Sequence, residues 1–214
     1  MKTRAILPAC LLLSLCACSS MYYGAMEKMG VHKRDILVDR VAEARDSQEH
    51  AKEQFKSALE QFKSVVKVEG GDLEREYNAL DGTLKRSEAE AATVRQRIRS
   101  VEDVSKALFR EWASEIRQYS NDSLRRSSQK KYDETEKRYK ELIGAMKKAE
   151  SRLEPALSPL RDQVLFMKHN LNAKAIAGLS SEVGEVQLHV DRLVSEMETA
   201  IREADRFIAT LKDE

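Results

Sequence analysis

Apolar residues recur along this chain in alternating steps of four and three, through four successive stretches. The first stripe reads Leu37, Val41, Ala44, Gln48, Ala51, Phe55, Ala58, Phe62 and Val65, with only Gln48 polar. The second runs Leu73, Tyr77, Leu80, Leu84, Ser87, Ala91, Val94, Ile98, Val101, Ser105, Leu108, Trp112, Glu115 and Tyr119. The third takes Tyr132, Thr135, Tyr139, Leu142, Met146, Ala149 and Leu153, and resumes in step beyond two prolines as Ala156, Leu160, Val164, Met167 and Leu171. The fourth is Val183, Val186, Val190, Leu193, Met197, Ala200, Ala204, Phe207 and Leu211. This spacing lies close to the helical turn, so each stripe occupies one face of an α-helix. A strict seven-residue repeat drifts about 20° per heptad on a straight helix, so each stripe stays buried only if the helices wrap around one another.

The breaks between stripes place the helix ends. The first helix is predicted over Val31–Val68; Gly70-Gly71 ends it and Asp72 caps the next. Gly82 lies inside the second helix and weakens it by roughly 1 kcal/mol without ending it. Asn121-Asp122 breaks the pattern, and a third helix starts near Ser123. Pro155 and Pro159 each remove a backbone donor, but the stripe keeps its register across them, so the third segment is read as one kinked helix rather than two. A last helix is expected from Ser180 to Lys212. Short connections make neighbours antiparallel. The predicted fold is all-α: an elongated antiparallel bundle of three to four long heptad-patterned helices, following a lipoprotein signal peptide.

Composition agrees with long solvated helices. Of 214 residues, 34% are charged and 6% aromatic, with 8 Gly and 3 Pro to make turns. The formal charge is +1, and losing Lys2 and Arg4 with a signal takes 37 basic residues to 35 against 36 acidic. A near-neutral balance gives no basic footprint for nucleic acid.

Lys2 and Arg4 precede an apolar run, Ile6 through Ala17, too short to span a bilayer and proportioned like a secretory signal. It ends Leu15-Cys16-Ala17-Cys18, which resembles a bacterial lipobox. A thiolate must attack the diacylglycerol donor, and the peptidase requires a small residue just before the modified cysteine. Cys16 follows bulky Leu15. Processing at Cys10 would leave half the apolar run on the mature chain. Cys18, preceded by Ala17 and followed by Ser19-Ser20, is the expected lipidation site. Residues 1–17 are then the signal peptide, 18–30 a lipidated tether and 31–214 the helical domain. Cleavage there leaves Cys18 as the sole cysteine, excluding disulfides, cysteine-ligated metals and thiol catalysis. Ser19 directly after it favours an outer-membrane lipoprotein facing the periplasm.

Candidate chemistry in the body is sparse. His169, Asn170 and Asn172 follow an apolar stretch; they are read either as a polar contact for a partner or as a buried hydrogen-bonding node that sets helix register. Arg125, Arg126, Lys130 and Lys131 cluster at a helix start near a predicted bundle end, where they are either solvated surface or contacts for anionic lipid headgroups. Arg95, Arg97 and Arg99 spread around their helix as a solvated face. His32, His50 and His189 form no metal-binding spacing. There is no phosphate-binding G-x-x-x-x-G-K-[ST] loop or nucleophile elbow. No catalysis, cofactor, metal or small-molecule substrate is expected.

Several stretches resemble an uncharacterised family of bacterial helical lipoproteins, known only as a domain of unknown function. They are Ala51–Phe62, Gly70–Leu73, Val101–Val104 with Leu108–Trp112, Leu124–Ser128, and above all Arg161–Asn172. The resemblance covers nearly all of the chain after Cys18 and implies a helical lipoprotein without known catalysis; it carries no functional residues. The functional expectation is a lipid-anchored envelope scaffold whose partners are the membrane and an envelope protein or a second copy. The alternative is a membrane-shaping module resembling BAR domains in architecture, which a curved dimer with a basic concave face would favour.

Overall fold

The computed structural model describes residues 32–67 and 72–212, so the signal, Cys18, the tether and Gly70-Gly71 lie outside the described residues. Among the described residues there are four long helices and one short one: α1 (Lys33–Val65), α2 (Leu73–Ile116), α3 (Asp122–His169), α4 (Ala173–Gly178) and α5 (Val183–Lys212). A single turn of 3₁₀ helix, Leu179–Glu182, leads from α4 into α5.

The ends form where the side chains can satisfy them. The Asp72 carboxylate accepts the Arg75 amide at 3.0 Å, and the Asn121 side chain accepts the amides of Ser123 and Leu124 at 2.9 and 3.2 Å. Each cap satisfies amides that a helix start leaves without intrahelical acceptors. Gly82 is absorbed within α2.

The long helices form a closed ring in the order α1, α2, α3, α5 and back to α1. Cross-helix pairs show their directions. Lys33 meets Glu111 and Arg97 meets Glu43, at 2.9 and 2.7 Å. Residue numbers rise on one helix as they fall on the other, so α1 and α2 are antiparallel. Lys147–Glu102 and Arg161–Glu88 order α2 and α3 in the same way. Arg138–Thr210 and Lys148–Glu196 do so for α3 and α5, and Arg34–Leu211 and Arg45–Asp205 for α1 and α5. Exposed ion pairs of this kind contribute about 0–1 kcal/mol each, so they select register more than they supply stability.

The core is the four stripes turned inward. All nine positions of the α1 stripe are buried, Gln48 included. Burial spreads past the stripes to Ile36, Leu59, Thr83, Val104, Leu157 and Ile208, because a helix with two neighbours covers a wider face than a two-stranded seam does. Two expected seam ends are corrected. Glu115 and Tyr119 are exposed, α2 stops at Ile116, and Phe109 and Ile116 are the buried positions there. Leu171 lies beyond the end of α3 and is exposed. In both places the four-helix ring has ended, so no described helix covers a continued stripe. Arg95 and Arg97 are likewise not a solvated face: they reach Glu154 and Glu43 on neighbouring helices.

Pro155 and Pro159 sit within one continuous α3. Each lacks the amide that would bond to the carbonyl four residues earlier, and an interior proline costs about 3 kcal/mol in an isolated helix. Leu153, Ala156, Leu157 and Leu160 stay buried around them, so packing holds the helix through the defect. Replacing both with alanine should keep or raise helicity and thermal stability. It should also straighten the particle in small-angle scattering; an unchanged profile would show that the prolines set no bend.

Candidate functional site

The two ends of the bundle carry the chemistry. At one end α1 begins and α5 stops level with Glu111: Lys33 pairs with Glu111, and the Arg34 guanidinium donates to the Leu211 carbonyl. Among the described residues, only the α2–α3 hairpin continues past that level. Trp112 donates its indole N–H to the Ser128 hydroxyl at 2.9 Å and meets Tyr132 edge-on with ring centres 5.6 Å apart. Phe109 touches both Tyr132 and Tyr139, at 5.5 and 5.4 Å, and Tyr139 reaches Phe207 of α5 at 6.5 Å. This aromatic chain ties the protruding hairpin back to the bundle. Burial among the rings raises the pKa of Tyr132 and of Tyr139, so both phenols stay protonated.

Beyond the aromatics the hairpin is basic. Arg117, Arg125, Arg126, Lys130 and Lys131 are all exposed, and the only acidic residue between positions 117 and 131 is Asp122. Arg125 pairs with Asp122, and Lys130 lies 3.9 Å from Glu134. Among the described residues, Arg117, Arg126 and Lys131 have no carboxylate partner. Tyr119 and Leu124 are exposed at the same tip. The four basic residues singled out in the sequence are therefore brought together, and Arg117 joins them from α2. Its contribution follows only from the hairpin geometry.

At the opposite end α3 turns into α4. The expectation of a buried node here is corrected. His169 and Asn172 are exposed, and the asparagines are corner residues. Asn170 donates its side-chain N–H to the Phe166 carbonyl at 2.9 Å, and Asn172 caps α4 by accepting the Ala175 amide at 2.9 Å. These bonds terminate one helix and start another, which is how asparagine is commonly used at turns. Around the corner Leu165, Phe166 and Leu171 are exposed, and Phe166 lines a shallow groove with Gln163, Lys174 and Leu179. The sequence reading passed over this groove because α4 is too short to show a period. The available signal was Leu165-Phe166, two large apolar residues outside the seam of Val164 and Met167.

Among the described residues, no group of His, Cys, Asp or Glu side chains converges as a metal site. No described helix is long and apolar enough to cross a membrane. A family model described as "Protein of unknown function (DUF2959)" matches residues 22–211. No curated protein matches the chain.

Proposed function

The chain belongs to the DUF2959 family of proteins of unknown function, and from that premise we propose that it is a lipid-anchored scaffold of the bacterial cell envelope. Lipid on Cys18 would hold one end at the membrane, and the bundle would present a protein-contact surface at the other. The observation that carries this reading is the polarity of the rod. The start of α1, to which the Cys18 segment is joined, lies at the basic end, and the exposed Leu165, Phe166 and Leu171 lie at the far end. At 1.5 Å per residue the 48 residues of α3 span about 70 Å, which sets the distance between the two ends. Large exposed apolar side chains grouped beside polar ones are what a protein contact uses.

The membrane-shaping alternative draws less support. It needs a basic face along the rod, whereas the sides carry mixed pairs such as Arg45–Asp205, Lys148–Glu196 and Lys147–Glu102.

Site-directed photo-crosslinking in cells tests the scaffold reading. A crosslinking residue at Phe166 or Leu171 should yield discrete adducts with an envelope protein or a second copy. One at the exposed mid-rod Ala92 should not. With the crosslinking residue at the exposed Leu165, Phe166→Ser with Leu171→Ser should remove the adducts while changing stability by no more than about 0.5 kcal/mol, as expected for surface positions. No adducts from the far end, or equal adducts from Ala92, would overturn the reading.

A further inference from the structure

We infer that the α2–α3 hairpin tip is a second membrane contact, a reversible one that binds anionic phospholipid headgroups beside the acyl anchor. The inference rests on the anchored reading for its setting and on three separate observations for its content. The first is charge. Arg117, Arg125, Arg126, Lys130 and Lys131 gather at a tip whose flanking carboxylates are Glu115, Asp122, Asp133 and Glu134, and three of the five have no carboxylate partner among the described residues. The far end is balanced by comparison, with Lys67, Arg75, Lys168 and Lys174 set among Asp72, Glu74, Glu76, Glu182 and Glu185.

The second observation is shape. α1 and α5 stop level with Glu111 while the hairpin runs on, so among the described residues the tip projects furthest at the anchored end. It is built to project: Trp112–Ser128 and the rings of Phe109, Tyr132 and Tyr139 brace it. Tyr119 and Leu124, exposed among the basic residues, are of a kind that enters the interfacial layer between headgroups and acyl chains. The third is reach. Thirteen residues lie between Cys18 and His32, and the fourteen residue steps that join them extend to at most about 50 Å. The tip can therefore touch the bilayer that holds the lipid. Basic residues close to an anionic surface are attracted within about a Debye length, so the contact would orient the rod on its anchor and would weaken as salt rises.

The test uses the unacylated body from Ser19 onward, which keeps all of the described buried core, residues 36–211. Vesicles of phosphatidylglycerol with phosphatidylethanolamine are compared with vesicles of phosphatidylcholine. Sedimentation should show salt-sensitive binding to the anionic vesicles and none to the zwitterionic ones. Each basic residue near such a surface strengthens binding about fivefold, so Arg126→Glu, Lys130→Glu and Lys131→Glu together should weaken it by about a hundredfold or more. All three are exposed, so helicity and melting should not change. The neutral set Arg126→Gln, Lys130→Gln and Lys131→Gln should lose about a hundredfold, which guards against a folding defect caused by charge reversal. A control at the far end, Lys67→Glu with Lys168→Glu and Lys174→Glu, should leave binding within about twofold. The inference is overturned by any of four outcomes: no binding to anionic vesicles, equal binding to both vesicle types, a control that weakens binding as much as the tip variant, or tip-dependent binding to a short DNA duplex with none to vesicles. Failure of the anchored reading shows up elsewhere, in lipid labelling of Cys18 on the full chain, because no acyl chain takes part in the vesicle assay.

Discussion

Cys18→Ser is expected to abolish lipid labelling and move the helical body from the membrane fraction to the soluble periplasmic fraction. The expected effect is close to complete because of the size of the anchor term. Each buried methylene contributes about 0.8 kcal/mol, and two or more acyl chains make release negligible. Folding should be unaffected, since the buried core of the described residues lies within 36–211, and the melting curve of the variant should overlay that of the parent. Any residual membrane association through the basic tip should wash off in high salt, because exposed charges are screened over about 3 Å at molar ionic strength. A variant that still sediments with membranes after such a wash would refute either the lipobox reading or the claim that Cys18 is the sole anchor. The measurement is metabolic labelling with a lipid precursor, followed by fractionation with and without salt.

Gln48→Leu should stabilise the bundle by about 1–3 kcal/mol. Gln48 occupies a seam position of α1 and is fully buried, and neither its amide nitrogen nor its amide oxygen has a hydrogen-bond partner among the described residues. Burying an amide without partners costs about 1–3 kcal/mol on the scale of protein mutations. Leucine removes that cost at similar volume. For a chain of this length the gain corresponds to a rise in melting temperature of about 3–10 °C. Register should survive the change. Nearby Gln54 donates to the Ser87 hydroxyl and the Thr83 carbonyl, at 3.2 and 3.3 Å, across the α1–α2 contact, and that polar contact has its partners. Urea denaturation checks the result. A loss of stability would mean that the Gln48 amide is hydrogen-bonded in solution and that its polarity supports the core. If the gain came with mixed oligomers, Gln48 would instead be a device for specificity, a role that buried seam amides play in coiled coils.

The sequence by itself determined the helices and most of what they bury. Every stripe position from Leu37 to Val65 is buried, as is every one from Leu80 to Ser105, from Leu142 to Met167 and from Val186 to Leu211. These residues were legible because a helix repeats one local geometry, so a periodic pattern records its buried face without reference to partners. Asp72 was legible as a helix-start signal for the same reason, since capping is settled within one turn, whereas Asn121 showed only as a break in the pattern and its capping role came from the structure. The continuity of α3 through Pro155 and Pro159 followed from a stripe that kept step.

Tertiary structure alone decided where each stripe stops mattering. Tyr119 and Leu171 fit the period but lie past the ends of their helices, and both are exposed. It also decided which helices are neighbours: α5 closes the ring by packing on α1 as well as α3, a pairing that four equivalent apolar stripes do not specify. The candidate sites depend on the same long-range facts. Arg117 joins Arg126 and Lys131 because two helices meet at a turn, and the basic tip stands clear because α1 and α5 end short of it. His169, Asn170 and Asn172 are turn residues because the ring ends where α3 does. Periodicity is a property of one helix, whereas exposure is a property of what stands beside it, and at the ends of this rod the two part.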